Sequence, residues 1–359
     1  MPDQPKRILH IAPQNISDVP MTLVRAERAL GYDSRLVTFL TDVRGYPEDY
    51  CLNLPFVASA TAKKIKKTFT DPARVQIKNQ NAALGKVPPI WSPHSHAEKW
   101  LILLREKLWT PRIRKMMRDI DFWNYDVYQF DAGLDFYRDG RTVGKLKTLG
   151  KKIIVLYTGS DFRTRGIIEP VDHLADARFT VEWDHLELDP KLKHVLFPFE
   201  LGKYTYRERI AEGAVKVGHA PTNRAAKGSD KILAILRNIA AQKDIKIILI
   251  ENKPHNEAIA FKDKCDIFID QIGDLGYGIN ALEAMAMGIP TCTSLAPGFL
   301  KVHQDHAFCH VTANDLDDNL INLIESQQKR IDLARKSRHW LEANHDSRQI
   351  VREIHRNES

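Results

Sequence analysis

Asp266-Ile267-Phe268-Ile269-Asp270-Gln271-Ile272-Gly273-Asp274-Leu275-Gly276-Tyr277-Gly278-Ile279-Asn280-Ala281-Leu282-Glu283-Ala284-Met285-Ala286-Met287-Gly288-Ile289-Pro290-Thr291-Cys292-Thr293 is one continuous stretch of this chain. Its first five residues are a short apolar run with β-branched members, and they read as a strand. A loop with three glycines follows, then an Ala/Leu/Met run at 279–287 with the character of a helix, then a second strand from Pro290. Two strands joined through a helix run parallel, because the crossover returns the chain in the same direction. The same grammar extends outward. Residues 215–220 read as a strand, 230–241 as a helix, 245–250 as a strand, and 315–344 as largely helical. Toward the N-terminus, 7–13, 34–39, 125–130 and 152–157 read as strands. Helices are expected at 21–30, stopping at Gly31, and at 141–149, stopping near Gly150. The pattern restarts after a polar stretch at 202–212. The expectation is an α/β protein with two parallel-sheet domains, 1–200 and 201–359, which suits a length of 359 residues.

Composition narrows the function classes. Apolar residues at 43% and charged residues at 28% are globular values and argue against a mostly disordered chain. The longest apolar runs, such as Trp100–Leu104, fall far short of the roughly 20 residues a spanning helix needs. The sequence enters its first strand from Met-Pro-Asp-Gln-Pro-Lys-Arg without a signal-like apolar core, so a cytoplasmic location is expected. Four cysteines without a C-x-x-C pair predict buried thiols rather than a disulfide framework. His94/His96 and His303/His306/His310 lack an accompanying carboxylate or thiolate, so no metal site is expected.

The net charge of +7 is unevenly spread. Residues 60–120 hold fourteen Lys/Arg against four acids, a local +10 that leaves −3 for the rest. Within that basic segment, 99–109 mixes Trp100, Trp109 and a Leu-rich run with Lys99, Arg105 and Lys107. Such a stretch suits the surface of an anionic bilayer, and it equally suits a helix with one buried side and a solvated basic face. No nucleic-acid-binding module stands out, and nucleic acid is not an expected partner.

In open parallel sheets, ligands gather at the carboxyl ends of strands, where helix N-termini offer unpaired N–H groups to phosphate. Two loops of the second half fit. In 219–230, Arg224 and Lys227 stand three apart just before a helix and suit one anion. The plain alternative is that Ser229 or Asp230 caps the helix while Lys227 is solvated. In 270–290, glycines at 273, 276 and 278 allow backbone to approach a ligand. Glu283 sits early in the helix that follows, in an Ala/Met-rich stretch that reads as buried. A buried carboxylate needs a partner, such as the vicinal hydroxyls of a ribose.

The run Gly278–Pro290 resembles the nucleotide-sugar motif of glycosyltransferase family 4, the glycosyl transferases group 1. The run His219-Ala220-Pro221 to Lys227-Gly228 resembles the same family's diphosphate loop, and 157–163 resembles more loosely its first domain. The resemblance covers most of the chain except the basic segment. It implies the GT-B fold, two Rossmann-like domains facing across a cleft, with the last helix packing back on the first domain. It implies a retaining, metal-independent transferase of the hexosyltransferase type. Such an enzyme moves sugar from a nucleoside-diphosphate sugar to a glycan or lipid-linked acceptor in cell-surface polysaccharide synthesis. No cofactor is implied beyond that co-substrate.

Carried onto this sequence, Arg224 and Lys227 with N–H groups at Gly278 and Ile279 would hold the leaving diphosphate, and Glu283 the ribose. Asp274, Leu275 and Gly276 fall at the sugar. Thr158 and Asp161 fall at catalytic positions, and Asn15, Ser17 and Arg163 on the acceptor side. The sequence departs from the family at two places. Leu275 stands eight residues before Glu283, where the family commonly has a second Glu, and Thr158 stands where it often has His. The competing expectation is a non-catalytic member of the same fold that binds a nucleotide sugar or a partner. For the basic segment 60–120 two readings stay open, peripheral attachment at the inner membrane face and a helix with a solvated basic face.

Overall fold

A computed structural model describes residues 5–57, 87–273 and 276–356. The chain divides into two compact units, Met1–Pro198 with Ser347–Ser359, and Phe199–Asp346. The 347–356 helix therefore belongs to the first unit, where it packs on the 19–29 helix.

The first unit is built on a seven-stranded parallel sheet in the order β3-β2-β1-β4-β5-β6-β7. Its strands are β1 (Arg7–Ala12), β2 (Asp33–Thr38), β3 (Tyr50–Cys51), β4 (Val127–Asp131), β5 (Lys152–Tyr157), β6 (Ala177–Thr180) and β7 (Lys193–His194). β1 and β4 are buried nearly end to end, as a sheet covered on both faces requires. Leu9, Ile11, Tyr128, Phe130 and Val155 supply one layer of the core. The register runs Ile8 to Val127 and Ile8 to Ser34, so strand order reverses at β1 and β4.

The second unit holds a five-stranded parallel sheet in the order β12-β11-β10-β8-β9. Its strands are β8 (Val215–His219), β9 (Ile245–Leu249), β10 (Ile267–Gln271), β11 (Thr291–Thr293) and β12 (Cys309–His310). The chain leaves β8 for β9 on one side and returns to β10 on the other, so the switch point lies between β8 and β10. Val217, Ile232, Leu236, Ile267 and Ile269 fill one face of this sheet, and Phe268, Ala284, Met287 and Ile289 the other. The 279–286 helix is buried on nearly every side, which explains its Ala, Leu and Met composition. Cys292 and Cys309, distant in sequence, are register partners on β11 and β12, and all four cysteines are free thiols.

The basic segment is in part a helix of 24 residues, His96–Asp119, capped by Ser95 accepting from the Glu98 N–H. Glu106, Trp109, Ile113 and Met116 form its buried stripe. Trp100, Leu104 and Leu108, four residues apart on the opposite side, are 66%, 55% and 59% exposed. The remainder of that segment, 60–86, lies outside the described residues.

Candidate functional site

The two loops singled out in the second half meet because β8 and β10 are neighbours. His219 ends β8 with its imidazole buried between strand and helix. Its Nδ1–H donates to the Ile269 carbonyl at 2.8 Å, and its Nε2 accepts from the Ser229 hydroxyl at 2.8 Å. Burial, the largest influence, holds this imidazole below its ordinary range and keeps it neutral. Ser229 is thus engaged with His219 rather than capping, and the helix N-cap is Gly228 in the left-handed region at φ 68°. Glycine is required there, since a Cβ would fall 2.7 Å from Ile272 Cγ1. The loops are stitched by the Ile272 N–H donating to the Lys227 carbonyl at 3.3 Å.

Lys227 is not a solvated lysine. Its ammonium donates to Asp270 Oδ1, and the other oxygen of that buried carboxylate accepts the Gly278 N–H at 3.1 Å. Asp270 therefore links the 219–228 loop to the N-terminus of the 279–286 helix. Arg224 shares a short helix, Arg224–Lys227, and donates to Glu251 at 2.8 Å from an exposed position. An exposed pair of this kind contributes little and gives way readily to a better anion. Gly278 and Ile279 begin the longer helix, whose first N–H groups lack intrahelical acceptors. Asp274 and Leu275 lie outside the described residues, and Gly276 borders them at φ 84°.

Glu283 is 3% exposed. Its Oε1 accepts from His255 Nε2 at 2.7 Å and the Tyr204 hydroxyl at 3.2 Å, and its Oε2 from Lys262 Nζ at 2.5 Å. Burial works against the charge, but Lys262 and His255 outweigh it and bring the carboxyl down to about 2. Lys262 is itself fully buried and also donates to Asn280 Oδ1 at 2.8 Å. The helix run thus encloses a complete ion pair. Lys262, Tyr204 and His255 were not singled out in the sequence. A lysine in Phe261-Lys262-Asp263-Lys264 looks solvated until its helix is seen packed on another.

In the first unit, Asn15 and Ser17 follow β1. Asn15 is fully buried and donates to Asp18 Oδ1 at 2.9 Å and the Pro47 carbonyl at 2.7 Å. Ser17 and Asp18 both adopt left-handed backbone, at φ 55° and 60°, which residues other than glycine seldom do. After β5, Asp161 accepts the backbone N–H groups of Thr158, Gly159 and Phe162 at 2.9, 2.7 and 2.8 Å. Its carboxylate holds the turn that presents Thr158. Arg163 donates to Glu182 and Asp184, each at 2.7 Å. Glu182, unnoticed in the sequence, is pushed up to about 7 by burial despite Arg163. His185 also escaped notice; its Nε2–H donates to the Gly159 carbonyl at 3.0 Å and ties the turn to β6.

The chain has relatives in sequence over part of its length and in fold. Residues 226–340 match the family model described as Glycosyl transferases group 1, a span that includes Lys227, Asp270 and Glu283. Solved structures match along the whole chain.

The chain has the GT-B fold.

A sucrose-phosphate synthase from Thermosynechococcus elongatus is similar over 98% of each chain at 13% identity and a TM-score of 0.61. Anabaena Alr3699/HepE, in complex with UDP-glucose, is similar over 98% of each chain at 11% identity and a TM-score of 0.55. A putative UDP-N-acetylglucosamine 2-epimerase from Listeria monocytogenes covers 98% of this chain and 94% of its own at 11% identity and a TM-score of 0.53. No curated protein matches in sequence. At these identities the likeness is one of GT-B architecture, which hosts more than one chemistry.

Proposed function

We propose that this GT-B protein is a retaining glycosyltransferase of the hexosyltransferase type. It moves sugar from a nucleoside-diphosphate sugar to a glycan or glycolipid acceptor in cell-surface polysaccharide synthesis. The reading is carried by Lys227, Asp270 and the Gly278 N–H meeting at the switch point between β8 and β10. It is supported by the family match over that region and by structural neighbours that include a protein holding UDP-glucose. A diphosphate arriving there meets Lys227, Arg224 and the first N–H groups of the 279–286 helix. Negative charge builds on the departing diphosphate as the glycosidic bond breaks, and groups already aimed at it lower the barrier. With two cations and a helix N-terminus in place, no metal is needed to neutralise that charge. Glu283 receives the ribose through Oε1, from which His255, more exposed than the fully buried Lys262, is displaced. On the acceptor side, Asp161 and His185 fix the turn carrying Thr158, and Asn15 fixes the loop carrying Ser17.

The 96–119 helix gives this reading a location. Its outward Trp100, Leu104 and Leu108 share the exposed side of the helix with Lys107, Arg114, Lys115 and Arg118, so apolar and cationic surface adjoin. That arrangement suits peripheral attachment at an anionic membrane face, where a lipid-linked acceptor would be found. Among the described residues, no helix is long and apolar enough to cross a membrane.

Thermal unfolding with a panel of UDP-, GDP- and ADP-sugars tests the donor site. A ligand at 100 times its dissociation constant adds about 2.7 kcal/mol. The shift is expected with one nucleotide class and is expected to vanish in Lys227→Ala. A shift that survives that substitution would place the nucleotide elsewhere. A non-catalytic binder is favoured by Leu275 where the family commonly has Glu and by Thr158 where it often has His. Nucleotide binding without donor hydrolysis, sugar interconversion or transfer would select it.

A further inference from the structure

Three arginines of the first unit gather where β4 and β5 end. Arg138 lies in the loop after β4, Arg165 closes the turn after β5, and Arg105 reaches in from the 96–119 helix. The Arg138 guanidinium lies over the Trp91 ring at 5.2 Å, and that of Arg105 over Trp109 at 4.3 Å. Arg165 donates to the carbonyls of Ala132 and, at 3.1 Å, Gly166. Gly166 has φ 85°, and a Cβ there would fall 2.0 Å from the Pro89 carbonyl oxygen. Its absence lets 89–91 pair with 167, through the Trp91 N–H and the Ile167 carbonyl at 2.9 Å, and this seats Trp91 beneath Arg138.

Nε and one terminal nitrogen of Arg105, and one terminal nitrogen of Arg138, are buried without a hydrogen-bond partner. The nearby carboxylates are engaged elsewhere. Glu106 accepts the backbone N–H of Arg138 at 2.8 Å and approaches Arg141 at 3.5 Å. Glu98 accepts the His94 N–H at 2.6 Å, and Asp161 accepts three backbone N–H groups. Among the described residues, none of these carboxylates hydrogen-bonds a guanidinium of the three. Burial, then repulsion from Arg165 and Arg105, holds the Arg138 guanidinium down to about 9. Burial lowers Arg105 and Arg165 too. Buried like charges with unpaired donors are costly unless an anion completes them. A carboxylate has two oxygens and is matched by one arginine fork. Three guanidiniums match the several oxygens and double charge of a phosphate group.

We propose that Arg105, Arg138 and Arg165 form a binding site for a phosphate group. On the transferase reading, on which this last step rests, that phosphate belongs to the acceptor. The site stands at the carboxyl ends of the first unit's strands, where an α/β sheet places its ligands. Its three residues belong to the first unit, whereas Arg224 and Lys227 belong to the second.

The test is thermal unfolding of the full chain in phosphate-free buffer, with inorganic phosphate, and with chloride at matched ionic strength. Phosphate is expected to raise the midpoint beyond chloride, in wild type and in Lys227→Ala alike, and to do nothing in Arg138→Gln. Without phosphate, Arg138→Gln is expected to melt no lower than wild type, because it removes like-charge repulsion; a purely structural arginine would melt lower. If that variant fails to fold, Arg105→Gln carries the same expectations. No effect of phosphate beyond chloride would overturn the site. An effect kept in Arg138→Gln and lost in Lys227→Ala would also overturn it, while leaving the donor reading intact. Glycerol phosphate and vesicles of phosphatidylglycerol against phosphatidylcholine then separate sources. Competition by glycerol phosphate alone supports a soluble phosphorylated acceptor, and arginine-dependent vesicle binding supports a lipid phosphate.

Discussion

Glu283 and Lys262 illustrate how much a single buried charge commits the molecule to. Removing one member of a buried pair strands the other, at about 3–5 kcal/mol. Glu283→Gln is therefore expected to lower stability by that order, read as a drop in the urea midpoint. The double substitution Glu283→Leu with Lys262→Met should recover most of it, because two apolar side chains leave no charge behind. An equal loss in the double variant would show that the pair is not the source. This couples any ribose test at Glu283 to stability, so activity of its variants must be read beside their unfolding curves. Lys227 is better suited to testing the donor. Lys227→Gln keeps a hydrogen-bond donor for Asp270 and removes the charge that the proposed donor site assigns to the diphosphate. Its expected signature is a stability loss of about 1–2 kcal/mol with complete loss of stabilisation by the nucleotide sugar.

At the level of elements, the long parallel strands were readable because their apolar runs are continuous and bounded by glycine and proline. β3, β6, β7 and β12 were not, since two to four residues carry no period. They form because a neighbouring strand already offers its backbone groups. The 96–119 helix was legible only as two options, buried on one side or laid on a bilayer. The structure shows a buried stripe and an outward apolar stripe on the same helix. Replacing Trp100, Leu104 and Leu108 together with Ser should leave stability within about 0.5 kcal/mol per site, as for exposed positions. Co-sedimentation with phosphatidylglycerol vesicles should fall sharply in that variant. Unchanged sedimentation, in protein of unchanged stability, would remove the membrane from the reading. Gly228→Ala is expected to be costly, because φ 68° and the Ile272 contact both oppose a Cβ.

Across the whole molecule, the sharpest contrast is a buried network in the first unit. His10, on β1, bonds Glu27 at 2.9 Å and lies 3.6 Å from Asp131, while His355 bonds the other Glu27 oxygen at 3.0 Å. Burial opposes the His10 charge, but Glu27 and Asp131 prevail and raise it to about 10, while Glu27 is lowered to about 2. The signs differ. The His10 contribution is full below its ordinary value near 6.5 and is lost as pH rises toward 10. The Glu27 contribution is full above about 4.5 and is lost as pH falls toward 2. The gap in urea midpoint between wild type and His10→Gln should thus narrow from pH 6 to pH 10. A constant gap would mean that His10 is neutral in the fold. By itself, the sequence determined the α/β class, the two-fold recurrence of the parallel pattern and the two loops after β8 and β10. These are written in residue period and in glycine placement, which act over a few neighbours. Only the tertiary structure decided that Lys227 faces Asp270, that Glu283 encloses Lys262, that three arginines converge, and that His355 completes a network with Glu27, 328 positions away. Such partners are set by how helices lie on a sheet, and no local period records which side chains that packing brings together.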